Sequence, residues 1–110
     1  MSDAFQDREK GFERKYQLDQ EQAFRAQSRR DKLFGMWVAG LLRKTGDAAE
    51  AYAKTVVAAN FEKPGDDDML AKVRKDLSAN GVTVADNEIS AKLHGFADEA
   101  ARQIAGEAKK

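Results

Sequence analysis

Apolar positions along most of this chain recur at three and four residue intervals, the rhythm of helices with one buried face. In LFGMWVAGLL, residues 33 to 42, Phe34, Trp37 and Leu41 share a stripe flanked by Leu33, Val38 and Leu42. This predicts a core helix, closed by Lys44, Thr45 and Gly46, with a basic last turn and a glycine suited to the left-handed cap. Asp47 is then expected to cap DAAEAYAKTVVAANF, where Ala48, Tyr52, Val56 and Ala59 repeat helically and the alanines permit close helix approach.

Pro64 and Gly65 break the pattern. Asp66, Asp67 and Asp68 precede MLAKVRKDL, whose Met69, Leu70, Val73 and Leu77 fall on one side. Three adjacent carboxylates on a helix point in different directions, so they are read as capping and dipole-complementing groups rather than as a metal cluster. Asn80 and Gly81 stop this helix, and VTV makes a short extended link. The last helix carries Ile89, Leu93, Phe96, Ala100 and Ile104, with Gly95 and Gly106 weakening it. The expected fold is all-α: a small four-helix bundle with a long first helix, its helices at about residues 20–44, 47–62, 66–80 and 86–107, packed antiparallel through short connections.

The opening differs. AFQDREKGFERKYQLDQEQAF, residues 4 to 24, has one aromatic residue every four to seven positions among many charges. Counted back from Trp37, the stripe runs through Ala23, Tyr16, Phe12 and Phe5, with Gln27 and Arg30 interrupting it. No proline lies between Phe12 and Lys44, so a helix from about Gln17 onward is sterically permitted, supported by pairs such as Glu21 with Arg25. Before that, Gly11 and like-charged pairs disfavour helix. Burying Phe5, Phe12 and Tyr16 gains about 6 kcal/mol together, whereas fixing nearly twenty residues costs on the order of 1 kcal/mol or more apiece. Residues 1–19 are therefore expected to form a flexible N-terminal arm that folds in a groove of another protein, and residues 20–110 the bundle. A frayed, solvated terminus is the plainer reading.

Composition narrows the function. Lys plus Arg and Asp plus Glu each total 19 in 110 residues, so no charge excess favours nucleic acid or an acidic membrane face. There is no cysteine, and His94 is the single histidine, which removes disulfide, thiolate and ordinary zinc chemistry. No apolar run long enough to cross a bilayer exists, and the first residues lack a signal-peptide pattern, so a cytoplasmic protein without direct membrane insertion is expected. No catalytic residue set, cofactor site or metal site is assembled from these residues. His94 reads as a surface or boundary residue. GLLRKTGD, residues 40 to 47, lacks the order of a phosphate loop and follows a helix, not a strand. Arg29, Arg30 and Lys32, with Asp31 among them, read as a solvated face rather than a phosphate contact. Phe34 and Trp37 read as core anchors, with a ligand pocket the minor alternative.

FERKYQLDQEQAF, RRDKLFGMWVAGLL and KTGDAAEAYAKTVVAANFEKPGDDDMLAKV together closely resemble the zeta-type inhibitor subunit of alpha-proteobacterial F-type ATP synthases, over nearly the whole chain and most specifically over residues 29–73. The resemblance implies a four-helix bundle whose N-terminal segment enters a catalytic alpha/beta interface and reaches the central gamma rotor. Hydrolytic rotation is then blocked, and synthesis spared. It also implies a site peripheral to the inner membrane, held there through the ATP synthase. Inhibitory contact is carried onto Phe5, Arg8, Phe12, Arg14, Lys15 and Tyr16. Gly11 stands where the family pattern favours alanine, which raises the ordering cost. The alternative function is a free-standing helical adaptor or small-ligand (nucleotide) sensor.

Overall fold

The computed structural model describes residues 18–62 and 65–108. Four helices occur among them: α1 at Gln20–Leu41, α2 at Gly46–Glu62, α3 at Asp67–Ala79 and α4 at Asp86–Ala108. Among the described residues there is no strand. The all-α, four-helix expectation holds. Helix α1 is central, packed along α2 on one side and α4 on another, while α3 lies against α2 and touches α1.

One core joins all four helices: Phe34 and Val38 of α1, Val56 of α2, Met69, Val73 and Leu77 of α3, and Ile89 and Leu93 of α4. Trp37, Leu41, Tyr52, Leu70 and Phe96 close over it from the sides. Val82 and Val84 of the link between α3 and α4 also pack against it, so the connector contributes core surface. Ala26, Ala100 and Ile104 extend the buried layer elsewhere on α1 and α4.

The buried faces depart from the sequence expectation on two helices. On α1 the buried positions are Ala26, Asp31, Phe34, Gly35, Val38 and Ala39, with Trp37 and Leu41 only half-buried. A helix flanked by two neighbours buries a wider arc than one stripe. On α2 the stripe is Ala49, Ala53, Val56 and Asn60, not Ala48, Tyr52, Val56 and Ala59. Here Gly35 decides the register: a Cβ on it would stand 2.8 Å from the Ala53 Cα, so α2 approaches α1 where neither helix has bulk.

The helix ends also differ. Helix α1 stops at Leu41, earlier than the expected 44, because Arg43 adopts the left-handed conformation with φ of 62°. Its N–H bonds the Gly40 carbonyl at 3.0 Å and the Lys44 N–H bonds the Ala39 carbonyl at 2.9 Å, the paired closure of a Schellman motif with arginine in the glycine position. Asp47 sits inside the first turn of α2 rather than at its cap. Helix α3 closes as expected: Gly81 has φ of 71°, and the N–H groups of Gly81 and Val82 bond the Ser78 and Leu77 carbonyls.

Candidate partner-binding site

Phe5, Arg8, Phe12, Arg14, Lys15 and Tyr16 lie outside the described residues. The described chain begins at Leu18, two residues before α1. Asp19 has extended backbone, with φ of −72° and ψ of 178°. Its carboxylate accepts from the Gln22 N–H at 2.7 Å, and the Gln22 side-chain oxygen accepts from the Asp19 N–H at 3.0 Å. This capping box satisfies reciprocal donors at the helix start. Helical register is interrupted at Asp19, so the aromatic stripe counted back from Trp37 does not pass through it in one helix. Asp19 with Gln22 was the available signal.

About three turns beyond Asp19 the charge run is only partly a solvated face: Lys32 is exposed, but Arg30 and Asp31 are drawn inward. Asp31 is buried, 3% exposed, on the same side of α1 as Phe34 and Val38. The Arg30 guanidinium bonds Asp31 Oδ1 at 2.9 Å through Nε and grips Asp66 with both terminal nitrogens, at 2.7 and 3.3 Å. The Asn60 amide donates to Asp31 Oδ2 at 2.9 Å and to Asp66 Oδ1 at 3.1 Å. Asp66, expected to cap α3, makes no side-chain cap bond and is used here. Residues from α1, α2 and the start of α3 are thereby tied together. Burial raises the Asp31 carboxyl above the usual carboxylate range, outweighing the Asn60 hydrogen bond and the Arg30 charge. Burial alone would lower Arg30, but its bond to Asp66 and the Asp31 charge leave it raised. Asn60 Oδ1 is buried with no hydrogen-bond partner.

A second polar tie joins α2 to α3. Tyr52 Oη donates to Asp76 Oδ2 at 2.8 Å, and Lys72 Nζ reaches the same oxygen at 2.9 Å. Burial and the carboxylate beside it push the Tyr52 phenol up. Burial would raise Asp76, but the bonds from Lys72 and Tyr52 hold it below the usual range. Arg25 and Arg29 of α1 both reach Glu107, near the end of α4, at 3.0 and 2.8 Å. Arg25 thus crosses to another helix instead of making the expected local pair with Glu21.

These ties frame a surface that the sequence reading missed. Phe24 on α1 and Phe61 at the end of α2 are 54% and 67% exposed, and their rings meet edge to face at 5.8 Å between centroids. Beside Phe24 an open groove of about 420 Å³ is floored by Val57 and Ile104 and edged by Arg25, Arg29, Lys32 and Lys54. A cleft of about 290 Å³ continues past Val57 to Asn60 and Phe61.

The arrangement has the parts of a docking face, and no group set for bond-making is gathered here. His94 is exposed. Among the described residues, no three of histidine, cysteine, aspartate or glutamate are placed to hold a metal ion, and no helix is long and apolar enough to cross a membrane. No curated protein matches the chain. A family model described as ATPase inhibitor subunit zeta matches residues 1–103.

Proposed function

The chain belongs to the ATPase inhibitor subunit zeta family, and on that premise we propose that it blocks ATP hydrolysis by an F-type ATP synthase by inserting its N-terminal segment into a catalytic alpha/beta interface, close to the gamma rotor. A member of an inhibitor subunit family is a regulatory protein and not an enzyme. In this reading residues 1–19 are the inhibitory arm and residues 20–110 the body that limits how far it enters. Phe5, Phe12 and Tyr16 are the apolar anchors of the arm, and Arg8, Arg14 and Lys15 pair with carboxylates along the cleft. The protein then sits on the cytoplasmic side, peripheral to the inner membrane through its partner.

The observation that carries the proposal is the extent of the family match, which takes in the N-terminal segment together with the body. The capping box supports it, since the start of α1 is closed by its own Asp19 and Gln22 side chains. The test is ATP hydrolysis by a purified alpha-proteobacterial F-type ATP synthase, with the full chain and with residues 1–17 deleted, which keeps the Asp19 cap of α1. Deletion is expected to abolish inhibition while leaving the thermal transition of the body essentially unchanged. Equal inhibition by the two proteins would sink the inserted-arm mechanism.

A further inference from the structure

We propose that the groove beside Phe24 and Phe61 is a second foothold on the ATPase and receives an apolar segment of that partner flanked by acidic side chains; this rests on the partnership proposed above. Phe24 and Phe61 are the exposed large hydrophobic residues among the described ones, and they are not scattered: they touch each other and share one depression with Val57. Single exposed apolar residues are ordinary on a protein surface, whereas two phenyl rings joined over a groove form a patch of the kind that partners cover.

Charge selects the occupant. Arg25, Arg29, Lys32 and Lys54 edge the groove. Glu107 neutralises the two arginines only in part, because one carboxylate serves both. Lys32 meets Glu50 at 3.8 Å, with both side chains about half exposed. Lys54 makes no ion pair among the described residues. In the groove beside Phe24, four cations against two carboxylates leave the rim positive, and Asp31 of the adjoining cleft is buried against Arg30 and Asn60, so an acidic flank is attracted there and a basic one repelled.

Position supplies the link to the inhibitory arm. Three residue steps take the chain from Tyr16 to Asp19, at most about 11 Å, and five steps of helix from Asp19 to Phe24 add about 7.5 Å. A partner that holds the chain as far as Tyr16 therefore presents its own surface beside this groove. Two footholds on one chain make the second contact intramolecular, so a weak groove contact multiplies the affinity of the arm.

The experiment uses the full chain and purified F-type ATP synthase, comparing wild type, Phe61→Ser, Lys54→Glu and the arm variant Phe12→Ala/Tyr16→Ala. Two quantities are read: the concentration giving half-maximal inhibition, and the hydrolysis left at saturation. Both groove variants are expected to raise the half-inhibitory concentration about tenfold, with residual hydrolysis at saturation and thermal midpoint unchanged. The Lys54→Glu effect shrinks as salt is added. Half-inhibitory concentrations within twofold of wild type for both variants would overturn the foothold while leaving the arm mechanism standing. An arm variant that inhibits as fully as wild type, beside weakened groove variants, would instead overturn the arm and keep the foothold. A wild-type chain that does not inhibit removes both. Two other occupants would also overturn it. A dimer in sedimentation that Phe61→Ser abolishes assigns the groove to a second copy. Amide shifts at Phe24 and Phe61 on introducing Phe12→Ala/Tyr16→Ala in the free protein assign it to the chain's own N-terminal segment.

Discussion

Gly35 faces the backbone of Ala53 across the α1–α2 contact, with room for a hydrogen and none for a methyl group: a Cβ there would meet the Ala53 Cα at 2.8 Å and the Val56 Cβ at 3.2 Å. Gly35→Ala is expected to destabilise the fold by about 1–3 kcal/mol, because backbone cannot step aside as a side-chain tip can. Gly95, inside α4, has nothing within 4 Å of its would-be Cβ, so Gly95→Ala is expected to stabilise by roughly 0.5–1 kcal/mol. Urea unfolding of both variants checks the opposite signs.

Arg43 offers a gain at the end of the same helix. Its φ of 62° is a conformation that costs a side-chain-bearing residue about 1 kcal/mol and glycine almost nothing. Arg43→Gly should raise the thermal midpoint, with the Schellman hydrogen bonds retained in the amide exchange pattern of Arg43 and Lys44. A fall in the midpoint would mean that the arginine side chain contributes more than its backbone costs.

The Arg30 network should fail asymmetrically. Arg30→Met leaves Asp31 buried without its cation, an expected loss of about 3 kcal/mol. Arg30→Lys recovers only part of this, since an ammonium cannot span Asp31 and Asp66 with the guanidinium's planar fork. In an Asp31→Asn background the Arg30→Met loss should be smaller, because no charge is left stranded. A double-mutant cycle by urea unfolding measures the coupling.

Acid dependence follows from two carboxylates with opposite shifts. Asp31 has its folded pKa raised above the ordinary 3.8, so folding favours its protonated form. Its contribution is greatest below 3.8 and is lost as pH rises from there through the raised folded value. Asp76 is lowered from 3.8, so its contribution is present above that value and lost as pH falls through the folded one. Asp31→Asn should therefore make stability climb more steeply with pH than wild type just above 3.8, and Asp76→Asn less steeply below it. Urea midpoints between pH values of about 3 and 6 separate the two.

Helices α3 and α4 were readable in the chain because each buries one stripe against one core, and Met69, Val73, Leu77, Ile89, Leu93 and Ile104 are covered as their spacing implied. Helix α1 was read less well, since a helix covered by neighbours on two sides buries charge and glycine along with its apolar residues. Asp31 stood three and seven positions before Phe34 and Val38, and Asn60 stood four after Val56, so both were already on inward faces. Their polarity hid them. What no spacing could show is the pairing across α1, α2 and Asp66, which needs the helices placed first. The Phe24–Phe61 contact was hidden for the same reason, being made by residues thirty-seven positions apart on different helices. The arm residues Phe5, Arg8, Phe12, Arg14, Lys15 and Tyr16 lie outside the described part of the chain, and their role rests with the hydrolysis assay.

Arg25 and Arg29 clasp Glu107 in the first half of α1, and Arg30, the next residue along, clasps Asp66. A tug along the α1 axis from Asp19 loads these fastenings side by side, in shear, and they must slip together instead of unzipping in turn. Whatever seizes the leading peptide is thus hauling on a mooring post sunk through the middle of the molecule.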